Sequence, residues 1–169
     1  RADEFLSSVP NYLALYEALE IKPPHFVTLP PIMGPDGKKK LSKRDGAKDL
    51  LDYKSEGYLN EAVMNFLAFI GWNPGDDREV MKPEDIINSF DISKIQPSGG
   101  KLNEEKLLWL NKEHIKLLSQ EEISKSIKAR IPESHQDNPM TDKLIPLILE
   151  RIMTWGDVKT LFEQGEFDY

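Results

Sequence analysis

The chain has 169 residues, of which 39% are hydrophobic and 30% are charged, a composition typical of folded soluble proteins rather than disordered ones. Its net charge of −7 argues against broad binding of nucleic acid, and the absence of cysteine excludes disulfides and thiolate metal sites. The apolar runs are too short to span a bilayer and no signal peptide is visible, so we expect a cytoplasmic protein with no membrane contact. The first residue is Arg1 and not Met, so we expect the chain to begin inside a longer protein or after processing.

The first predicted element is a helix. Ser8 is suited to cap it, with Pro10 in the first turn, and apolar residues then recur at helical spacing. Pro23 and Pro24 are expected to end this helix, because proline has no N–H and clashes with the preceding turn.

A short strand and a basic loop are expected next. Residues 26–33 are apolar but contain Pro30 and Pro31, which indicates an interrupted or edge strand. The sequence GPDG at residues 34–37 predicts a turn, and the loop that follows it is strongly basic. Because a single strand cannot make a sheet, the first 50 residues are expected to belong to a larger domain.

The remainder of the chain predicts helices. Asn103 is suited to cap one of them, and Ser119 with Glu122 matches a capping box ahead of another. Residues 96–100 indicate a linker and residues 132–139 a polar loop. The helices are expected near residues 48–57, over 59–70 with Gly71 as the stop, from Pro83 to near Phe90, from Asn103 to about Leu118, over 119–131, around 145–153 and around 158–162.

The residues best suited to chemistry lie in GPDGKKKLSKRDG, residues 34–46. A glycine turn allows a ligand to approach the backbone closely, and lysine, arginine and serine side chains can surround a phosphate chain. Charge-assisted hydrogen bonds of this kind contribute about 1.5–3 kcal/mol each. If they tighten as charge moves to a leaving pyrophosphate, they lower the reaction barrier. The loop does not fit the GxxxxGK[ST] pattern of a Walker A loop.

The segment Lys40, Leu41, Ser42, Lys43 and Arg44 resembles the KMSKS signature of class I aminoacyl-tRNA synthetases, from which it departs at Leu41 and Arg44. The longer form GPDGKKKLSKRDGA is similar to that of bacterial glutamyl-tRNA synthetases, in which a terminal arginine is usual. Three other blocks resemble the same family in the same order: residues 1–16 (RADEFLSSVPNYLALY), 57–77 (GYLNEAVMNFLAFIGWNPGDD) and 106–111 (KLLWLN). The resemblance is strong to about residue 118 and weaker beyond.

This resemblance implies an enzyme that activates glutamate with ATP, taken with Mg²⁺, to glutamyl-adenylate and then transfers the glutamyl group to tRNA(Glu). Lys43 matches the second signature lysine and Lys40 the first, so both are expected to act in catalysis by stabilising the phosphates. Leu41, Ser42 and Arg44 complete the expected ATP-binding loop. No zinc site is expected in this segment.

The resemblance also implies binding residues outside the signature loop. Arg1 matches the arginine expected to bind the substrate glutamate as a bidentate carboxylate partner. Glu4 and Ile32 match positions that approach the ATP, and Ile32 is expected to do so through its backbone. The family's other ATP signature, HIGH, does not occur in the sequence, so this polypeptide alone is expected not to aminoacylate tRNA.

The fold implied is mainly α. Residues 1–50 would be the end of a Rossmann-like α/β catalytic domain, residues 51–118 a helical region that contacts the tRNA stem, and residues 119–169 the start of a helical anticodon-binding domain. The parent protein is expected to be a monomer.

Other interpretations of the same residues remain open. A glutaminyl-tRNA synthetase is a close alternative, and the acidic charge together with the missing HIGH segment is also compatible with a non-catalytic helical module that binds RNA or protein. We expect Trp72, Trp109 and Trp155 to pack in cores rather than to stack on bases. His114 is expected to be structural, and the pairs Asp76-Asp77 and Glu121-Glu122 are expected to serve turns and caps rather than metal.

Overall fold

The computed structural model describes residues 2–42, 47–136 and 140–167. The described residues are mainly helical, as expected, and their extended segments pair only through isolated bridges. No helix in these ranges is long and apolar enough to cross a membrane. Short 3-10 helices occur at Asp3–Ser8 and Ile92–Lys94. The α-helices are α1 (Val9–Ala18), α2 (Leu50–Ser55), α3 (Asn60–Gly71), α4 (Pro83–Ser89), α5 (Glu104–Lys116), α6 (Gln120–Lys128), α7 (Glu133–Gln136), α8 (Thr141–Arg151) and α9 (Gly156–Glu163).

Two of the three expected caps are confirmed. The side chain of Asn103 accepts a hydrogen bond from the Lys106 N–H, and Ser119 with Glu122 forms the reciprocal capping box. Ser8 occupies the N-cap position of α1, but its side chain makes no capping hydrogen bond. Because a 3-10 helix leads directly into α1, Ser8 already has helical backbone angles, whereas a capping residue is normally extended.

Helix α1 ends before the prolines that were expected to stop it. The Ile21 N–H donates to the Tyr16 carbonyl and the Glu20 N–H to the Glu17 carbonyl, both at 3.0 Å. These two bonds are those of a Schellman motif, and Glu20 occupies its left-handed position with φ 55°. The prediction that Pro23 sets the end was therefore wrong, because the chain has already turned out of the helix at Glu20.

Residues 26–33 were expected to form an interrupted or edge strand; they form no strand, although the interruption expected at the two prolines is present. Only Leu29 and Met33 of this extended stretch form bridges. Pro30 and Pro31 lie between them and have no N–H to donate, so a continuous ladder cannot form across this stretch.

The hydrophobic core is divided between two clusters. The first lies between α3 and α5 and contains Val63, Phe66, Ile70, Leu102, Leu107 and Leu110. The second is built around α6, α8 and α9 and contains Ile115, Ile123, Ile127, Ile131, Ile148, Ile152, Trp155, Val158 and Phe162. Residues 2–42 contain no large hydrophobic side chain that is buried.

A polar junction joins the two clusters. Asn111 is fully buried, its Oδ1 accepts the Leu59 N–H at 2.8 Å and its Nδ2 donates to the Met153 carbonyl. Beside it, the backbone N–H of Trp155 donates to the Gly57 carbonyl at 3.0 Å. Gly57 has φ 86°, and a Cβ there would lie 2.4 Å from the Gly156 nitrogen, so both the turn and the close approach require glycine.

Candidate nucleotide-binding loop

The basic loop is carried on a short hairpin stem. Met33 and Lys40 form an antiparallel bridge, and the Leu41 N–H donates to the Ile32 carbonyl at 2.8 Å. One residue beyond the bridge between Met33 and Lys40, the Gly34 N–H donates to the Lys39 carbonyl at 2.9 Å. Residues 34–39 are thereby closed into a compact loop whose lysines are exposed.

The expected turn at residues 34–37 is confirmed. The Gly37 N–H donates to the Gly34 carbonyl at 2.8 Å, and the carboxylate of Asp36 accepts the Lys38 N–H at 2.9 Å. Gly37 has φ 67°, a conformation that glycine adopts without the cost of a Cβ. The carboxylate of Asp36 is thus used to shape the turn.

A second segment pairs with Met33 from its other side. The Met33 N–H donates to the Gly100 carbonyl at 2.9 Å and the Leu102 N–H donates to the Met33 carbonyl at 3.1 Å, which makes a parallel bridge between Met33 and Lys101. Met33 therefore lies between Lys40 and Lys101. This pairing fixes the base of the loop to the segment that leads into α5.

Two residues that the family resemblance assigns to ATP are in contact. The Lys40 ammonium lies 2.6 Å from a carboxylate oxygen of Glu4, although the two residues are 36 positions apart in the chain. Their side chains remain 56% and 48% exposed, so both can be reached by a ligand. The hydrogen bond from Lys40 holds the pKa of Glu4 below its ordinary value, which keeps Glu4 ionised.

The signature loop is anchored at Leu41. This side chain is partly buried against the cluster between α3 and α5, which gives an apolar residue at that position a packing role. The next residue, Ser42, accepts the Ala47 N–H on its carbonyl oxygen at 3.2 Å. This hydrogen bond holds Ser42 and Ala47 close to each other.

Three of the expected site residues, Lys43, Arg44 and Arg1, lie outside the described residues. Ile32 is 37% exposed, and its carbonyl is used in the hairpin stem. Its N–H has no protein acceptor within the part of the chain that the structure describes. The structure thus brings together Lys40, Glu4 and Ile32 near the start of the signature loop.

Sequence reasoning missed Lys101, because Gly99 and Gly100 beside it read as part of a linker. Its bridge to Met33 spans almost 70 residues of sequence, so no local pattern reports it. The glycines themselves were the available signal, since paired glycines often mark a close approach of two backbones.

His114 is structural, as expected, and it is 4% exposed. The Oδ1 atom of Asn65 accepts the Met81 N–H at 2.8 Å and lies 3.0 Å from His114 Nε2, so Nε2 must carry a proton and donate to it. Burial lowers the pKa of His114; Glu61 opposes this shift and Lys82 adds to it. The ring is therefore held neutral at the contact between α3 and α5.

The expectations for the tryptophans and the acidic pairs hold in part. Trp72 and Trp155 are buried, at 3% and 4% exposed, but Trp109 is 37% exposed with the Lys106 ammonium 4.1 Å from its ring centre, so the packing prediction was wrong there. Position 109 lies on the outer side of α5, between Leu107 and Leu110, which face the core.

The carboxylates of Asp76 and Glu122 serve a turn and a cap. Across residues 2–42, 47–136 and 140–167, no three His, Asp or Glu side chains are grouped so that they could hold a metal ion.

Curated relatives resemble nearly the whole chain. A glutamate–tRNA ligase of Aliarcobacter butzleri is 41% identical over 159 residues, which are 94% of this chain and 33% of that protein. A glutamate–tRNA ligase of Coxiella burnetii is 39% identical over 157 residues, which are 91% of this chain and again 33% of the relative. The chain therefore spans about a third of the length of these relatives.

Solved structures and a family model agree with these relatives. The crystal structure of a glutamate tRNA ligase from Elizabethkingia meningosepticum, in complex with its amino acid, superposes with a TM-score of 0.84 at 32% identity, covering 99% of this chain and 36% of that one. A glutamate-tRNA synthetase from Elizabethkingia anophelis gives 0.83 at the same identity. The family described as tRNA synthetases class I (E and Q), catalytic domain, matches residues 1–109. The chain belongs to this family of class I tRNA synthetases.

Proposed function

We propose that this chain is part of a glutamate–tRNA ligase, a cytoplasmic monomer that activates L-glutamate with ATP and transfers it to tRNA(Glu). The observation that carries the proposal is the contact between Glu4 and Lys40, because two distant residues assigned to ATP by resemblance meet beside the signature loop. The names of the relatives support glutamate rather than glutamine as the amino acid.

In the proposed reaction, a carboxylate oxygen of glutamate attacks the α-phosphorus of ATP, and pyrophosphate leaves with the electron pair of the broken P–O bond. The 3′-terminal hydroxyl of the tRNA then attacks the acyl carbon, and AMP leaves. Negative charge accumulates on the leaving pyrophosphate, so cations that bind it more tightly in the transition state accelerate the first step. We assign this role to Lys43 and Lys40, with Ser42, Leu41 and Arg44 completing the loop around ATP bound as its Mg²⁺ complex.

The remaining assignments concern recognition. Arg1 would bind the substrate glutamate carboxylate in a bidentate manner. Glu4 would approach the nucleotide, and Ile32 would contribute its backbone N–H, whose lack of a protein acceptor among the described residues supports that role. Residues 51–118 would contact the tRNA stem and residues 119–169 would begin the anticodon-binding domain. The presence of two hydrophobic clusters supports two units, although Ile115 at the end of α5 already belongs to the second cluster.

The test is Lys43→Ala in the full-length protein, assayed by glutamate-dependent ATP–pyrophosphate exchange with tRNA present. Losing a charge-assisted bond of about 1.5–3 kcal/mol should slow exchange roughly 10- to 150-fold, with little change in tRNA affinity. Lys125→Ala is the matched control, because Lys125 is an exposed lysine on α6, far along the chain from the loop.

Two results would contradict the proposal. Exchange by the Lys43→Ala protein at the rate of the parent would remove the role of Lys43. Exchange supported by glutamine and not by glutamate would replace the proposed enzyme with a glutaminyl-tRNA synthetase. The 169-residue chain alone, which contains no HIGH sequence, should not aminoacylate tRNA.

A further inference from the structure

Lys101 lies against the turn that opens the basic loop. A Cβ built on Gly37 would stand 2.3 Å from Lys101 Cε and 2.8 Å from its Nζ. The side chain of Lys101 therefore covers Gly37, and its ammonium lies beside the turn that leads into the loop lysines.

The backbone of Lys101 is fixed more firmly than that of the loop it approaches. It is bridged to Met33, and the following residue, Leu102, is buried in the cluster between α3 and α5. On its other side, a Cβ on Gly100 would lie 1.9 Å from the Ile70 carbonyl oxygen, so this segment runs in direct contact with the end of α3. Lys101 is thus a cation on a packed scaffold, whereas Lys38 and Lys39 are on an exposed loop.

Among the described residues of this turn and its surroundings, the cations Lys38, Lys39 and Lys101 outnumber the single carboxylate of Asp36. Among the described residues, no carboxylate lies within 4.0 Å of the Lys101 ammonium or of the ammonium groups of Lys38 and Lys39. Lys40 is paired with Glu4. Several unpaired cations near one turn repel one another, and a bound polyanion would relieve that repulsion.

A short polyphosphate fits this local arrangement better than an RNA backbone does. The chain has a net charge of −7, so the basic character is confined to the loop and its immediate surroundings. The flexible four-carbon stem of lysine lets its ammonium move from the turn to a phosphate oxygen without any change in the fixed backbone.

We propose that Lys101 is a phosphate-binding residue of this site, and that its ammonium contacts the polyphosphate of ATP and the pyrophosphate formed from it. The proposal rests on the proposed ligase function, because it takes the loop to be the ATP loop. It adds to that loop one cation that comes from the segment before α5.

The test uses Lys101→Met in the full-length protein. Methionine keeps an unbranched stem that can cover Gly37 and removes only the ammonium, so a loss cannot be ascribed to lost packing. Exchange assays should give a kcat/KM for ATP roughly tenfold below that of the parent, with an unchanged KM for glutamate. In aminoacylation assays, inhibition by added pyrophosphate should weaken by a similar factor, while inhibition by AMP stays the same.

Lys101→Arg should restore most of the ATP and pyrophosphate affinity, because it restores the positive charge. Lys125→Met is the control for loss of one surface charge. ATP and pyrophosphate constants of Lys101→Met within twofold of the parent would overturn the inference, as would weaker tRNA binding with unaltered nucleotide constants. A parent protein with no glutamate-dependent exchange would instead overturn the proposed function, and this inference with it.

Discussion

Asn111 offers the sharpest test of how the helical part is held together. Its side chain lies fully buried in α5 and bonds to the Leu59 N–H, ahead of α3, and to the Met153 carbonyl, beyond α8. Leu59 is the N-cap residue of α3 and has no side chain able to cap that helix. The amide of Asn111 therefore connects three segments of the chain.

Replacing Asn111 with alanine should leave a buried N–H and a buried carbonyl without partners. Each unsatisfied group costs about 1–3 kcal/mol, and a cavity of amide size adds to this. The removal of the buried amide itself offsets part of the loss, so the expected destabilisation is about 3 kcal/mol. This is a large fraction of the roughly 5–15 kcal/mol that typically stabilises a domain.

The measurement is urea unfolding of the 169-residue chain, followed by helical circular dichroism. With a slope of about 2 kcal/mol per molar urea, the midpoint should fall by roughly 1.5 M at an unchanged slope. Asn60→Ala is the control, because Asn60 is exposed in the first turn of α3 and should change stability by less than about 0.5 kcal/mol. Equal midpoints for the two variants would refute the role given to Asn111.

Two further changes test close packing and a buried titration. Gly100→Ala should destabilise the chain, because its Cβ would lie 1.9 Å from the Ile70 carbonyl oxygen, whereas Gly71→Ala meets nothing within 4 Å and should be neutral or slightly stabilising in the same unfolding assay. His114 has a pKa lowered by burial, so the unfolded chain binds its proton more readily; stability should be full above about pH 6.5 and fall below it. His114→Gln should flatten that slope, and an unaltered pH profile would contradict this assignment.

Local signals in the sequence were sufficient for most helices. The capping box of Ser119 with Glu122, the Asn103 cap and Pro83 at the start of α4 each act within one turn of the helix they begin. Gly57 likewise ends α2 as expected, since it takes the left-handed position after that helix. Such features depend on neighbours in sequence, which is why they could be predicted without the fold.

Two of the wrong predictions concern the end of α1, where another local motif acts before the prolines, and the burial of Trp109, which depends on the side of α5 where it lies. Glu20 takes the left-handed angle that glycine usually supplies, so the end of α1 lies several residues before Pro23. Trp109 has the composition of a core residue, but its place on the exposed side of α5 depends on which face α3 covers. Neither fact can be read from residue type alone.

The candidate site residues were predicted from the family resemblance and stay a prediction, whereas the contacts that support the loop could not be predicted from the sequence. The resemblance gave the signature loop and Glu4, whereas the attachment of the loop to Lys101 and to the cluster around Leu41 is long-range. Pairing between Met33 and Lys101 requires two glycines to approach two separate backbones, and a sequence does not say which backbones those are.

The structure shows which part of the chain holds the loop in place. Apolar side chains in residues 2–42 remain largely exposed, with Leu15 at 58% and Leu19 at 57%, so the described part of this segment has no buried core with which to fix a loop. The fixed partners of the loop stem are Leu102 and its neighbours, which are packed between α3 and α5. The Met33 bridges therefore tie the base of the signature loop to the segment packed between α3 and α5, and not to a core of its own.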